Sequence, residues 1–485
     1  MGLTVSVFTP TPQFANDLAD VVRIFWGDAA FLVNQAGGDV CLRHTEETAQ
    51  GNRLCRMEMN GVYEGAMEMS RETSDDPLLE KRYHKRLIKQ TLYAIMKRVT
   101  GRTPPWGSLT GIRPTRLIYE GMSRGLTRQE AEREVRETFD VLPEKAALLS
   151  QIVTVQQGMG EPDDMDVDLY VGIPFCVSRC AYCSFLSGEV GKGRQLPPYV
   201  DALEKEIAGT LALMEEKGLR PRAFYMGGGT PTSLSAGLLE RVLRAARPFI
   251  DKAREVTVEA GRPDTIDEEK LRVIRDSGAS RISINPQTMH DETLVRIGRK
   301  HTAAQTENAY ALARRIGFHH INMDLIAGLP GENLDMFLET LAWSRALAPE
   351  SLTVHTLSIK RSSLLHLWEA QLPEGNMVAA MVDAGRAEAE SRGMRPYYLY
   401  RQKHMAGNLE NVGYALPGHE CLYNVDMMEE TGHVLAAGAG AISKRVNTAI
   451  GRIERAPNVS EIQHYIDRTG EMLERKRALW AEAWD

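Results

Sequence analysis

Three cysteines, Cys176, Cys180 and Cys183, stand within eight residues. They belong to the stretch Tyr170-Val-Gly-Ile-Pro-Phe-Cys-Val-Ser-Arg-Cys-Ala-Tyr-Cys-Ser-Phe185. Thiols this close read as metal ligands in a reducing compartment rather than as halves of a disulfide scaffold. Three thiolates can hold three irons of a cubane cluster, whose full ligation takes four. The remaining iron would keep open sites for an exogenous chelator. A structural zinc site would need a fourth ligand, and Ser184 to Gly191 supplies neither His nor Cys. Cys41, Cys55 and Cys421 read as structural or free thiols.

Further candidates lie downstream. Gly227-Gly228-Gly229-Thr230-Pro231 follows a short apolar run, and consecutive glycines let backbone approach a ligand closely. Glu259, Gln287 and Asp324 each fall at or just after a strand-like segment. A carboxylate there can accept ligand hydroxyls, and an amide can both donate and accept. Strand-end capping is the other use of such residues. Arg299, in Ile297-Gly-Arg-Lys-His-Thr302, could bind a carboxylate by a charge-assisted contact, or serve as a solvated helix-end charge.

These residues need a frame. From Val167 onward, strand candidates alternate with helical patterns: Leu169–Ile173, Ala223–Met226, Glu255–Glu259, Arg281–Asn285, Ile321–Ile326 and Leu352–Leu357. In the first helix Val200, Leu203, Ile207, Leu211 and Met214 recur at spacings of three and four, with Gly218 as its stop. Alternating β and α predicts a parallel sheet with right-handed crossovers. Six units make a partial barrel, whose chemistry belongs at the C-terminal ends of the strands. Upstream, residues 1–160 mix strand-like runs (Leu3–Phe8, Asp20–Trp26, Leu54–Met59) with two long helical stretches. A polar linker, Gly158–Asp166, carries four acids and marks the boundary. The core is then 161–369. The remainder, 370–485, holds a helix (Asn376–Arg392), a tyrosine-rich run, a Gly-Ala turn (Ala437–Ala441) and a charged helical tail.

The whole composition fits about three soluble domains in 485 residues. A net charge of −7 argues against a surface built wholly for polyanions. There is no signal-like start and no apolar run near the ~20 residues of a membrane span. Met-Gly-x-x-x-Ser at the start matches a myristoylation pattern, but an alternating first strand accounts for it. A cytoplasmic location is expected.

The C-x3-C-x2-C spacing is that of the radical S-adenosylmethionine (SAM) superfamily. Residues 167 to about 445 resemble its oxygen-independent coproporphyrinogen III oxidase family. The motifs are Tyr170…Cys183, Gly227–Pro231, Arg281–Gln287, Asn322-Met-Asp-Leu-Ile-Ala-Gly-Leu-Pro330 and Gly438-Ala-Gly-Ala-Ile-Ser443. Pro105-Trp-Gly-Ser-Leu-Thr-Gly-Ile-Arg-Pro114 and the run Tyr397 to Tyr414 extend the likeness to the HemZ-type coproporphyrinogen dehydrogenases, over nearly the whole chain. The resemblance implies an α/β fold: a partial (β/α)6 TIM-like barrel, an N-terminal α+β domain and a smaller C-terminal α+β domain. It implies a [4Fe-4S] cluster on Cys176, Cys180 and Cys183. It implies SAM held by Tyr170, Gly228, Gly229, Thr230, Glu259, Gln287, Arg299 and Asp324, with Tyr182 and Ser358 toward a second SAM. The methionine amine and carboxylate would chelate the fourth iron, and cluster reduction would release a 5′-deoxyadenosyl radical.

The expected reaction takes a hydrogen atom from the β-carbon of a porphyrinogen propionate. Loss of CO2 and one electron then leaves a vinyl group, and two rounds give protoporphyrinogen IX. The expected partners are a tetrapyrrole and an electron-donor protein such as flavodoxin or ferredoxin, with neither membrane nor nucleic acid. Two departures bear on the substrate. Phe185 stands where the established oxidase has a fourth cysteine, and Tyr423-Asn424 replaces a His-Asn segment of its relatives. Relatives without that cysteine include haem chaperones, so haem carriage is a rival reading. Action on tRNA or on haem as a methyltransferase are others. From Lys81 to Arg128 there are 12 Lys or Arg and one acid, Glu120. This run, with Trp106 and Arg113, is one candidate for a carboxylate-binding cleft, and a solvated basic face is its alternative. Arg401, Lys403 and His404 beside Tyr397, Tyr398 and Tyr400 form a second candidate.

Overall fold

The computed structural model describes residues 3–27, 29–183, 188–358, 373–402, 405–448 and 450–481. Phe185, Lys403 and His404 lie outside them. The chain divides into two compact units. One comprises Met1–Ser150 with Arg401–Leu409, and the other Gln151–Tyr400 with Glu410–Asp485. Among the described residues no helix is long and apolar enough to cross a membrane.

The first unit is α+β. Its strands are β1 (Thr4–Phe8), β2 (Ala30–Val33), β3 (Val40–Ala49), β4 (Asn52–Gly61) and β5 (Gly65–Glu72), in the order β2-β1-β3-β4-β5. Ala49 pairs with Asn52. The two residues between them, Gln50 and Gly51, both have positive φ, the form that suits the twist of a two-residue hairpin. Asp20–Trp26, expected as a strand-like run, is the second half of a helix, Ala15–Trp26. Leu18, Val21, Val22 and Phe25 recur at helical spacing and are all buried, so the 3.6-residue period outweighs the β-branched composition. Their core includes Val5, Val7, Leu42, Leu92 and Met96.

The basic run is largely satisfied inside this unit. Arg82 pairs with Glu120, Lys85 with Asp17, Lys97 with Asp140 and Arg124 with Glu134. Arg98 and Arg102 donate to the carbonyls of Ala66 and Phe25. Arg401 is buried. It donates to the carbonyls of Leu109 (2.8 Å) and Asn408 (3.0 Å), and its guanidinium lies 5.1 Å from the Trp106 ring centroid. That is a structural clamp, which corrects the expectation of a cleft cation.

The second unit holds β6 (Asp166–Ile173), a short ladder of β7 (Phe175–Cys176) with β8 (Gly188–Glu189), then β9 (Arg220–Gly228), β10 (Glu255–Gly261), β11 (Arg281–Ile284), β12 (Ile321–Ala327) and β13 (Ser351–Thr356). It continues with β14 (Arg395–Tyr400), β15 (Asn411–Ala415), β16 (His433–Ala437), β17 (Ile442–Asn447) and β18 (Arg452–Pro457). Eleven of these form one sheet, ordered β14-β15-β13-β12-β11-β10-β9-β6-β16-β17-β18. The six expected strands are neighbours in chain order, all parallel. β16 adds a parallel neighbour to β6, with His433 opposite Val167. The strands beyond residue 370 therefore share the backbone ladder of the central ones.

The strands alternate by face. Val167, Leu169 and Val171 are fully buried, as are Phe224 and Met226, Val258, Ile282, and Met323 and Leu325. Between them stand polar or aromatic residues: Tyr170, Tyr225, Thr257, Glu259, Ser283 and Asp324. Strand period two puts this second set on the opposite face. Helices between the strands end as expected: Leu196–Lys217 stops at Gly218, which is left-handed at φ 66°.

Candidate active site

The functional candidates gather at the C-terminal ends of the parallel strands. Cys176 ends β7, just past β6, and is half-buried, as is Cys183; Cys180 is buried. The loop between them is held from several sides. Cys183 N donates to Cys180 O at 3.1 Å, and Ala181 N to Ile297 O at 2.8 Å. The β7–β8 ladder, with Phe175 opposite Gly188 and Cys176 opposite Glu189, closes its base.

The glycine run brings β9 against this loop. Gly229 N donates to Ile173 O at 2.8 Å. A Cβ at Gly229 would lie 2.6 Å from Phe175 O, and one at Gly227 2.8 Å from a Glu259 carboxylate oxygen. At Gly229 the obstacle is backbone, so glycine is required for the approach there, whereas at Gly227 it is side-chain atoms of Glu259 and Tyr225. Thr230, almost wholly buried, sets its Oγ1 3.5 Å from Cys176 Sγ.

Two carboxylates, Glu259 on β10 and Asp324 on β12, are shifted in opposite directions. Burial pushes Glu259 up to about 7 although the Tyr225 hydroxyl donates to it, and the Asp324 charge adds to the rise. Burial also works against Asp324, but His355 and Asn322 more than offset it and hold the carboxyl below its ordinary range. Asn322 Nδ2 donates to Asp324 Oδ1 at 2.8 Å, and His355 Nε2 lies 3.6 Å from Oδ2. Gln287 is buried at φ 71°, a strained conformation for a non-glycine residue. Two β-type bonds impose it: Gln287 N to Asp324 O at 2.9 Å, and Ile326 N to Gln287 O at 3.0 Å.

Arg299 is buried and donates through Nε to the Tyr182 hydroxyl at 3.2 Å and through Nη1 to Asn285 O at 2.6 Å. Burial opposes its charge, but Tyr182 and Cys180 hold its pKa above the ordinary arginine value. Tyr182 packs with Ala181, Ile297 and Leu357. Tyr170 stacks with Tyr225 and Tyr423, and Tyr225 and Tyr423 lie 4.4 Å apart between ring centroids. Ser358 is half-buried just after β13.

Several residues at this site were not singled out from the sequence. Arg262 donates to Ser178 O and Oγ, and Tyr225, Tyr423 and His355 line the wall beside the two carboxylates. Tyr225 and His355 carry a period-two signal on their strands. Arg262 carries none, since it reaches the site by a turn, and Tyr423, which the sequence marks only as a departure from its relatives, comes from the helix Leu422–Glu429.

The arrangement fits a cluster-bearing loop with an organic ligand beside it. Three thiols lie on a short loop pinned by backbone bonds. Thr257 Oγ1, Ser283 Oγ and Asn285 Oδ1 are buried polar atoms without hydrogen-bond partners among the described residues, so the inner wall has unused capacity for polar contacts. Behind β6, the Gly438 turn presses on Gly172, where a Cβ at Gly438 would lie 2.4 Å from Gly172 O. Fully buried Glu206 anchors that turn, accepting from Gly438 N at 2.8 Å, Asn458 Nδ2 at 2.7 Å, Tyr465 and Lys476.

Comparison with known proteins agrees with this geometry. The radical SAM superfamily profile matches residues 170–344. The chain is similar to the oxygen-independent coproporphyrinogen-III oxidase-like protein HemZ of Bacillus subtilis: 40% identical over 395 residues, spanning 79% of this chain and 78% of that one. It is 30% identical over 310 residues to the heme chaperone HemW of the same organism, spanning 62% and 76%. Among solved structures, coproporphyrinogen III oxidase HemN of Escherichia coli, described as a radical SAM enzyme, superposes with a TM-score of 0.52 at 23% identity, covering 66% of this chain and 72% of that one. That likeness carries the fold.

Proposed function

The chain belongs to the radical SAM superfamily, in the HemN/HemZ family, and on that footing we propose that it oxidatively decarboxylates coproporphyrinogen III to protoporphyrinogen IX without oxygen. The observation that carries the chemistry is the convergence of the cysteine loop, the glycine run and two oppositely poised carboxylates at one end of the parallel sheet. The choice of substrate rests on the 40% likeness to HemZ. The [4Fe-4S] cluster and SAM of this superfamily supply, when bound, hydrogen-atom abstraction from an unactivated carbon.

The chain's own residues bind, orient and exclude water. Cys176, Cys180 and Cys183 would hold the cluster. Backbone at Gly228 and Gly229, with Thr230, would take the amino group of SAM, and Arg299 its carboxylate. Asp324, kept ionised, would accept ribose hydroxyls. Glu259 would accept them as well and can take up or release a proton near neutral pH. Gln287 can donate and accept at once. The Tyr170–Tyr225–Tyr423 stack keeps this wall dry. Tyr182 and Ser358 would face a second SAM. A reductase of flavodoxin or ferredoxin type would deliver the electron.

Likeness to HemW favours one rival, heme carriage. Anaerobic reconstitution with reductant, SAM and coproporphyrinogen III separates the two. Loss of two CO2 from the tetrapyrrole, with 5′-deoxyadenosine formed in step, supports the oxidase. An unchanged tetrapyrrole together with tight, saturable haem binding supports the carrier.

A further inference from the structure

We propose that Arg262 tunes the reduction potential of the cluster by donating a charge-assisted hydrogen bond to the thiolate of Cys180, and that Asp264 sets how much of the arginine's charge the cluster feels. This rests on Cys180 being a cluster ligand.

The side chain is 3% exposed, and all three of its nitrogens are used. Nε and Nη2 grip the two oxygens of Asp264 at 3.0 and 2.9 Å. Nη1 faces the other way. It donates to Ser178 O at 3.0 Å and Ser178 Oγ at 2.9 Å, and stands 3.8 Å from Cys180 Sγ. One edge of the fork is thus fixed by a carboxylate while the other is aimed at the cysteine loop. A lysine could not do both, because only a planar guanidinium offers two rigid edges.

The backbone explains the aim. The pairing of β10 with β11 shifts register between Glu259 and Gly261, and Gly261 has φ 69°. Such a bulge re-aims the residues around it. Glu259 stays beside Tyr225 and Gly228, whereas Arg262 is sent to the cysteine loop. Burial opposes the Asp264 charge, but Arg262 outweighs it and holds the carboxyl below its usual range, so the pair stays ionised. Arg299 also interacts with Cys180, but its own fork is committed to Tyr182 and Asn285, whereas Arg262 is the one paired with a carboxylate.

Hydrogen bonds to cluster sulfurs and the net charge nearby set the potential of an iron–sulfur centre. Removing Arg262 deletes the donor and leaves the Asp264 charge uncompensated, which disfavours adding an electron. Removing the Asp264 charge leaves the guanidinium uncompensated, which favours it. The two variants must therefore shift the potential in opposite directions, as a purely structural role would not.

The test is an EPR-monitored redox titration of reconstituted wild type, Arg262→Met and Asp264→Asn, with Cys180→Ala as a control. At a fixed potential the reduced-to-oxidised ratio should fall about tenfold in Arg262→Met, which is 59 mV for a one-electron couple, and should rise in Asp264→Asn. If Arg262→Met fails to take up iron, Asp264→Asn alone decides. Equal potentials in all iron-loaded variants overturn the proposal. A full, EPR-normal cluster in Cys180→Ala overturns the ligand reading beneath it, and is a separate result.

Discussion

The Arg222 guanidinium meets the Asp426 carboxylate at 2.6 Å, with the two side chains 2% and 1% exposed. The pair ties β9 to the helix Leu422–Glu429, which also supplies Tyr423 to the aromatic stack. Beside it, burial and the Asp426 charge push Asp168 well above the ordinary carboxylate range, and burial raises Asp426 as well, against the pull of Arg222. Taking away one member strands the other in a dry site. Asp426→Ala should cost about 3–5 kcal/mol in a denaturant titration. Arg247→Ala, which breaks the exposed pair with Asp251, should leave the midpoint unchanged.

Glu259 gives a pH signature. Its carboxyl is held up at about 7 in the fold against an ordinary 4.5. The folded state thus binds an extra proton between those values, and its stability falls as pH rises through that window. Glu259→Gln removes the dependence. Relative to this variant, wild type should lose stability between about pH 5 and pH 8, by up to roughly 3 kcal/mol. SAM affinity should move the opposite way and strengthen in wild type as pH rises through 7, because an ionised carboxylate accepts hydroxyls better. Paired thermal melts and equilibrium binding across pH measure both.

Gly229 is a steric requirement. Alanine there places Cβ 2.6 Å from the Phe175 carbonyl oxygen, and backbone cannot yield as a side chain tip can. Gly229→Ala should destabilise by about 1–3 kcal/mol and lower the iron retained after reconstitution, since Phe175 directly precedes Cys176. Gly237→Ala meets nothing within 4 Å in the helix Ala236–Ala245. It should be neutral or stabilise by about 0.4–1 kcal/mol. Iron content and melting temperature of the two variants compare them directly.

Much of the site was legible because its signals are local. The C-x3-C-x2-C spacing, the glycine triplet and the strand-end Glu259, Gln287 and Asp324 are each read within a few residues. So were the six parallel strands, whose apolar faces repeat with period two. What escaped depends on distant segments. Nothing near His433 announces that β16 will lie parallel to β6, some 260 residues away. Arg262 looks like a turn residue until the register shift after Glu259 sends it to Ser178. Arg401 reads as a free cation beside tyrosines, and only the fold shows Leu109 and Trp106 enclosing it. Asp20–Trp26 reads as a strand because its β-branched residues overshadow a helical spacing that begins earlier, at Leu18.

The most direct test of the account follows the hydrogen atom. Coproporphyrinogen III deuterated at the β-carbons of its propionates would be incubated anaerobically with the reconstituted, reduced protein and SAM. The account predicts deuterium in the 5′-deoxyadenosine and loss of two CO2 from the tetrapyrrole. Unlabelled 5′-deoxyadenosine with the tetrapyrrole mass unchanged would contradict it.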